Sequence, residues 1–314
     1  MHTVVTTPID LVGHGNWPLH GTLCEPSTGL GAQSPGLVVA GHAMMVDHRT
    51  LWRPDRRCLG NTLIEHGFSL LLPDQRGHGG SVDTAHAKAP WSYDDLVEDV
   101  GLWWQKAQAI AAGRPIYWLG HSLWGHVSLA YFGSHAARLP SAFVAIAVNV
   151  WGRQFEPSAL IFMAQRLLMA GADGLVQLVG RMPARALRIG PCDESATYWR
   201  DLSGFARSNR WQSRQGLDYA DNLRNVTMPT LVVVSDGDRW LTRPESAMTF
   251  AARIPKSQVL RLGRSAPAEL AGLSPDHMGL VTSSTSEPIW RWIAGWLTAA
   301  NAIGLGDAGP SPRP

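Results

Sequence analysis

The chain has 314 residues, of which 45% are hydrophobic and 17% charged, with a formal net charge of +2 at pH 7. That length and apolar content allow a large core, and α/β folds of this size often form one domain with an insertion. The near-neutral balance excludes the basic footprint of a nucleic-acid binder and any strong pull toward acidic membranes.

Cys24, Cys58 and Cys192 are odd in number and lack C-x-x-C spacing, so they read as buried or free thiols in a reducing compartment. Residues 1–5 do not begin a basic n-region followed by an apolar h-region. No apolar run reaches the roughly 18 to 20 residues that span a bilayer. A soluble, cytoplasmic protein without stable membrane insertion is expected, and nothing in the sequence fixes its oligomeric state. Fourteen tryptophans read as dense aromatic packing, or as the lining of an apolar pocket.

In chain order, two strand-like stretches within residues 9–23 flank a turn cluster at 13–16 and predict an antiparallel hairpin at a sheet edge. A Gly/Ser/Pro loop at 29–35 precedes the fully apolar run 36–40, as expected of a strand buried on both faces. Residues 52–66 carry Leu59, Leu63 and Ile64 on one helical face, and Gly67 follows where a C′ glycine belongs. A second buried strand is expected at 68–72. Ser92 with Asp95 three residues on starts a helix of capping-box type, whose stripe is Leu96, Val100, Trp103, Ala107 and Ile110.

The apolar run from Ile116 ends at Gly120, Ser122 follows, and a helical pattern leads away through residues 127–132. Strand, sharp turn and helix with a serine at the apex is a nucleophile elbow, because the turn lifts the hydroxyl clear of both elements. A further strand is expected at 142–148. Residues 151–225 then break the rhythm, being rich in Met, Leu, Arg and Trp, with a helix at 158–169. Alternation resumes with a strand at 230–234, a helix at 245–254, a strand at 259–262 and a final helix at 289–300. This pattern implies a mostly parallel sheet covered by helices on both faces. A Gly/Pro/Ser tail from about 304 is expected to be loose.

The motifs occur in a telling order: strand-Gly-His at 41–42, D-x-R-G-x-G-x-S at 74–81, G-H-S at 120–122, strand-x-D-G-D ending at 238, and Asp-His at 276–277. In this the chain resembles the α/β-hydrolase-fold serine hydrolases over nearly all of residues 9–300. Within the fold it is similar to the group of serine aminopeptidases and lysophospholipase-like esterases. The resemblance implies an α/β-hydrolase core at 1–150 and 226–303, and a helical cap at 151–225 inserted after the sixth strand. It implies a Ser122, Asp238 and His277 triad, with Asp236 as the lesser candidate for the acid and a turn-forming alternative role. Asn149, where some relatives carry the acid, cannot hold a charge. The first oxyanion donor is expected at Leu123 N–H; the second at Met44 N–H, with Ala43 as runner-up, because His42-Ala43-Met44 stands in for the family's His-Gly-x. Asp74 and Arg76 are expected to brace loops near the elbow.

The implied chemistry is cleavage of a small-molecule carboxylic ester through an acyl-enzyme. Acyl transfer, lactone or amide hydrolysis and a non-catalytic binding role are the alternatives. No cofactor is implied, and no H-E-x-x-H, C-x-x-C or H-x-H spacing supports a metal. His42, Trp124, Trp151, Met163 and Trp199 are expected to contact substrate. Trp124 is a departure, since the family elbow is G-x-S-x-G; it either narrows the acyl space or packs against a strand and props the helix outward.

Overall fold

The computed structural model describes residues 4–27, 34–82 and 90–306, the last six by backbone alone. Strands β1 (Val4–Gly13) and β2 (Trp17–Pro26) pair antiparallel around a turn where Gly15 and Asn16 take φ of 71° and 59°. That left-handed backbone is what a tight reversal needs, and Gly and Asn adopt it at least cost. The expected edge hairpin is thus present. Next come β3 (Leu37–Gly41), β4 (Ser69–Pro73), β5 (Ile116–His121) and β6 (Ala142–Ile146). A separate two-stranded ribbon joins β7 (Arg181–Met182) to β8 (Glu194–Ser195), and β9 (Thr230–Ser235) and β10 (Ser257–Leu262) complete the main sheet.

The eight main strands lie in the order β1-β2-β4-β3-β5-β6-β9-β10; β2 runs antiparallel to β4, and every pairing beyond β4 is parallel. Side chains alternate between faces with the two-residue period of a strand. Val39, Trp118, Ala145 and Val232 enter one core, whereas Val38, Tyr117, Val144 and Val233 enter the other. Helices α2 (Tyr93–Ala111), α3 (Leu123–Ser134) and α7 (Pro244–Ala251) cover the first face. Helices α1 (Leu59–Glu65), α8 (Gly279–Thr282) and α9 (Glu287–Gly306) cover the second. This is a doubly covered α/β sheet, as the alternation predicts.

Local chemistry sets the helix ends. Ser92 Oγ accepts the Asp95 N–H while Asp95 Oδ2 accepts the Ser92 N–H at 2.7 Å, closing the box that starts α2. Helix α1 starts later than residue 52: Pro54 disfavours helical backbone at the residue before it, and the cap forms only at Cys58. Gly67 follows that helix with φ of 87°.

The segment between β6 and β9 holds α4 (Ala159–Val179), α5 (Ala196–Ser208) and α6 (Tyr219–Asn222). Helix α4 runs beyond its expected end at residue 169 and stops at Gly180, which caps it in the left-handed region. By length and composition alone it could cross a membrane, although no unbroken apolar run within it reaches 18 residues. Arg166, lying over the Phe162 ring, and Asp173, ion-paired to Arg207 of α5, interrupt its apolar sequence. At the C-terminal end, α9 continues through residues 304–306, so the helix takes the first part of the expected tail; residues 307–314 lie outside the described residues, as does most of the 29–35 loop.

Candidate active site

Ser122 sits between β5 and α3 with φ of 53° and ψ of −114°, a backbone state that costs a non-glycine residue on the order of 1–3 kcal/mol. Surrounding contacts hold it there: its N–H donates to Ile146 C=O at 2.9 Å, and Gly125 N–H donates back to the Ser122 C=O at 3.0 Å. The crossing is close enough that a Cβ on Gly120 would collide with the Gly125 backbone. Gly125 therefore provides the close helix–strand approach that the family pattern assigns to the position before it.

That leaves Trp124 free to point into the sheet. It is 1% exposed, lies nearly parallel to Trp118 at 5.7 Å, and fills the space a side chain on Gly41 would need. Of its two expected roles, packing against the strands is the one observed, and the expected substrate contact is corrected. The helix is not propped outward either, because Gly41 makes room for the ring.

His277 follows β10 in a loop drawn onto the elbow. His121, the residue before Ser122, donates its Nε2–H to the His277 C=O at 3.0 Å, and the two rings lie 5.0 Å apart. Burial holds the His121 imidazole well below its ordinary pKa, so it is neutral and serves as a strut. His277 Nδ1 donates to Asp238 Oδ2 at 2.6 Å. The other carboxylate oxygen accepts the N–H groups of Leu241 and Thr242 at 3.1 and 3.0 Å. That bond sets the tautomer of the neutral ring, in which the lone pair lies on Nε2.

Asp236 faces elsewhere. Its carboxylate accepts the Arg264 N–H at 2.8 Å and two bonds from the Arg261 guanidinium at 2.9 and 2.6 Å. The Arg264 amide, joined by the Arg261 contacts, holds this carboxyl below its ordinary range. The self-bonded turn expected of Asp236 is thus a clamp between β9 and the loop after β10.

The loop after β3 is fixed from one side by Gln75. Gln75 N–H donates to His42 Nε2 at 3.0 Å, its side-chain amide donates to the His42 C=O at 2.7 Å, and His42 Nδ1 donates to the Ala43 C=O at 2.7 Å. The His42 ring is fully buried, which pushes its pKa down to about 4 and keeps it neutral. It shapes the loop and offers substrate no surface, correcting its expected contact role. Among the described residues, the N–H groups of Ala43, Met44 and Leu123 have no hydrogen-bond partner. Below the loop, Asp74 accepts from His48 N–H and Nδ1 at 2.9 Å and from Gly80 N–H at 2.8 Å. Arg76 grips Asp99 through two bonds of 2.9 and 2.7 Å, the expected bracing.

The remaining expected contacts scatter. Trp199 is buried in a cluster with Met45, Met169, Val176 and Met182; Trp151 is partly exposed and donates to the Leu241 C=O at 2.9 Å. Met163 is 51% exposed on the side of α4 away from that cluster. Two surface hollows, of about 290 and 480 Å³, include none of the expected site residues. Gln75, His78, His121, Met45 and Glu194 shape the site and were not singled out from the sequence. Of these, His121 carried a signal as the middle residue of the G-H-S motif, and Gln75 and His78 through their place in the D-x-R-G-x-G-x-S motif.

The family model for serine aminopeptidases of the S33 type matches residues 50–185. Among curated proteins, none matches the chain's sequence. Solved structures do match. The ferulic-acid-bound Est1E of Butyrivibrio proteoclasticus is 14% identical with a TM-score of 0.60, over 94% of this chain and 99% of that one. The esterase EaEST of Exiguobacterium antarcticum is 15% identical with a TM-score of 0.59, over 92% and 98%. A thermophilic esterase of Thermogutta terrifontis is 14% identical with a TM-score of 0.55, over 94% and 99%. At such identities the likeness is one of fold.

Proposed function

From the α/β-hydrolase fold of this chain, we propose that it is a serine esterase whose triad is Ser122, His277 and Asp238. The observation that carries this reading is the Asp238–His277 bond of 2.6 Å, anchored through His121 to a serine at a strained elbow. His277 Nε2 takes the Ser122 proton as Oγ bonds to the ester carbonyl carbon, and the carbonyl π electrons move onto oxygen. The free N–H groups of Leu123 and of Met44, or of Ala43 in its place, receive that oxyanion; each such donor is worth on the order of 3 kcal/mol. Collapse breaks the bond to the alcohol, which leaves with the proton from His277. Water then attacks the acyl-enzyme, gives its proton to His277, and the acid departs as Ser122 regains its hydrogen. Asp238 keeps the imidazole tautomer correct and stabilises the imidazolium.

Residues 151–225 serve in this reading as a cap. The apolar cluster of Met45, Met169, Met182 and Trp199 beside the loop after β3 supports esters with an apolar group, since methionines form adaptable apolar walls. A fluorophosphonate probe should label Ser122 in the wild-type chain and leave Ser122→Ala unlabelled, with p-nitrophenyl ester hydrolysis lost in parallel. Absence of Ser122 labelling in folded protein would sink the proposal. Acyl transfer to added alcohol in place of hydrolysis would redirect it to a transferase.

A further inference from the structure

The loop after β3 is held from a second side that the triad does not explain. Residues 190–194, the end of the connection from β7 together with the first residue of β8, cross Met45 with every second residue facing it. Gly190 passes so close that a Cβ there would strike the Met45 C=O. Cys192 N–H donates to that same carbonyl at 3.1 Å, and Glu194 Oε1 accepts the Met45 N–H at 2.6 Å. Both backbone groups of Met45 are therefore taken by one short stretch. Met45 needs the support, because its φ of 62° is a left-handed state that a side-chain-bearing residue adopts only under constraint.

Glu194 is 1% exposed, and its Oε2 has no partner among the described residues. A buried carboxylate of this kind is costly unless a second group compensates it. The compensating group is His78, whose Nε2 lies 3.0 Å from the same Oε1. His78 Nδ1 lies 2.9 Å from the Arg76 C=O, which can only accept. Oε1 already accepts the Met45 N–H, so both ring nitrogens face acceptors, and an imidazolium satisfies both. Burial opposes that charge, but Glu194, the Arg76 C=O and, less strongly, Asp74 together outweigh it and raise the His78 pKa. The neutral His42 ring, 5.3 Å away, is a further titratable neighbour, Cys192 and Tyr198 are the titratable groups beside Glu194, and Trp91 lies against the His78 ring.

We propose that residues 190–194 are a strap that holds the oxyanion loop in its working shape, with Glu194, keyed by the His78 imidazolium, as the positioning residue. The inference rests on the esterase reading above. The peptide plane bearing the Met45 N–H shares the Met44 Cα with the plane bearing the Met44 N–H, so fixing one restricts the other. Through this link the cap segment sets the aim of the oxyanion donor without touching substrate.

The test uses the full chain with Glu194→Ala, p-nitrophenyl esters and iodoacetamide. Loss of the strap should lower kcat by about 10- to 100-fold, below the cost of deleting a donor outright, with KM changed less than about threefold. Cys192 should meanwhile alkylate at least about tenfold faster, mapped by peptide mass, while Cys24 and Cys58 stay slow. Burial holds the Cys192 thiol at about 11, so it reacts only when the strap lifts. A folded Glu194→Ala with kcat within threefold of wild type, or with unchanged Cys192 reactivity, overturns the proposal. Should that variant not fold, the near-isosteric Glu194→Gln carries the same two readouts at smaller amplitude. Nitrogen-15 NMR of the wild-type chain gives a third: both His78 ring nitrogens protonated at pH 7 are expected, and a neutral ring overturns the key. If wild-type Ser122 takes no probe, the esterase reading fails while the thiol and NMR readouts still judge the strap.

Discussion

The parallel sheet and the segment at 151–225 are both apolar, yet their apolar residues are placed by different rules. In β3, β5, β6 and β9 every residue is buried, and pairing register alone sends each side chain to one core or the other. In α4 only Phe162, Gln165, Met169 and Val176 are buried, while Leu160 and Leu178 are 80% and 87% exposed. A strand inside a sheet has no unpartnered face, whereas a helix on the surface covers only what lies beneath it. On the proposed reading, function divides in the same way: Ser122, Asp238 and His277 are anchored at sheet ends, and the 151–225 segment reaches the loop after β3 through a few specific bonds.

The sharpest way to break this division is at the elbow. Ser122→Ala should lower kcat by about 10⁶-fold, since members of such a triad act as a unit. Retention of more than a few per cent of the rate in folded protein would move the chemistry elsewhere. The two carboxylates after β9 give the next largest effect. Asp238→Asn should cost about 10⁴-fold in kcat by fixing the wrong imidazole tautomer. Asp236→Asn, which loosens a clamp to Arg261 and Arg264, should stay within about threefold. Parallel ester-hydrolysis rates on both variants decide the assignment, and reversed costs would overturn it.

Trp124 sharpens the comparison from inside the core. Trp124→Gly restores the family's elbow pattern but empties the space between Trp118 and Gly41, so it should cost about 3–5 kcal/mol of stability by denaturant unfolding. Relative rates across a series of p-nitrophenyl ester chain lengths should hold constant. A selective gain for long acyl chains would return Trp124 to the pocket.

A smaller effect tests the brace beneath the loop. Burial would raise the Asp74 carboxyl, but the His48 hydrogen bonds and the electrostatics of the nearby His42 and His48 rings outweigh it and hold it down at about 2. A carboxyl depressed in the fold adds stability above its unfolded value of about 3.9, and that stability is lost as pH falls from about 4 toward 2. Asp74→Asn should therefore cost about 2 kcal/mol at pH 7 and flatten the loss between pH 4 and 2. Acid-unfolding curves that superimpose would remove Asp74 from the brace.

What the sequence disclosed follows from these rules. The proposed triad of Ser122, Asp238 and His277 could be named from the sequence because a strand end, a turn and a chain order mark those positions locally. Gly67 and Ser92 were legible for the same reason, each marking a helix terminus within four residues. The destination of Trp124 was not, because the vacancy it fills exists only once β3 and β5 bring Gly41 beside Gly120. Glu194 lies in a run with no periodicity, and its partner His78 is 116 residues away. Composition marked 151–225 as apolar and helical, but it carried no information on which side of α4 would meet the core.

That last gap gives the smallest and most diagnostic prediction. Met163 and Met169 lie on the same helix, one 51% exposed and the other 7% exposed within the cluster that holds Met45 and Trp199. Met169→Ala should cost about 2–5 kcal/mol as a core truncation and disturb the loop after β3. Met163→Ser, by contrast, should change stability by no more than about 0.5 kcal/mol, the range of surface sites with no special contact. It should also leave the ratio of rates on short- and long-chain esters unchanged, since its side chain faces away from the cluster. If Met163→Ser instead shifts that ratio tenfold at unchanged stability, the outer face of α4 meets substrate. The apolar stripe through Leu160, Leu167 and Leu178 would then belong to the path of the ester and not to a surface that has none.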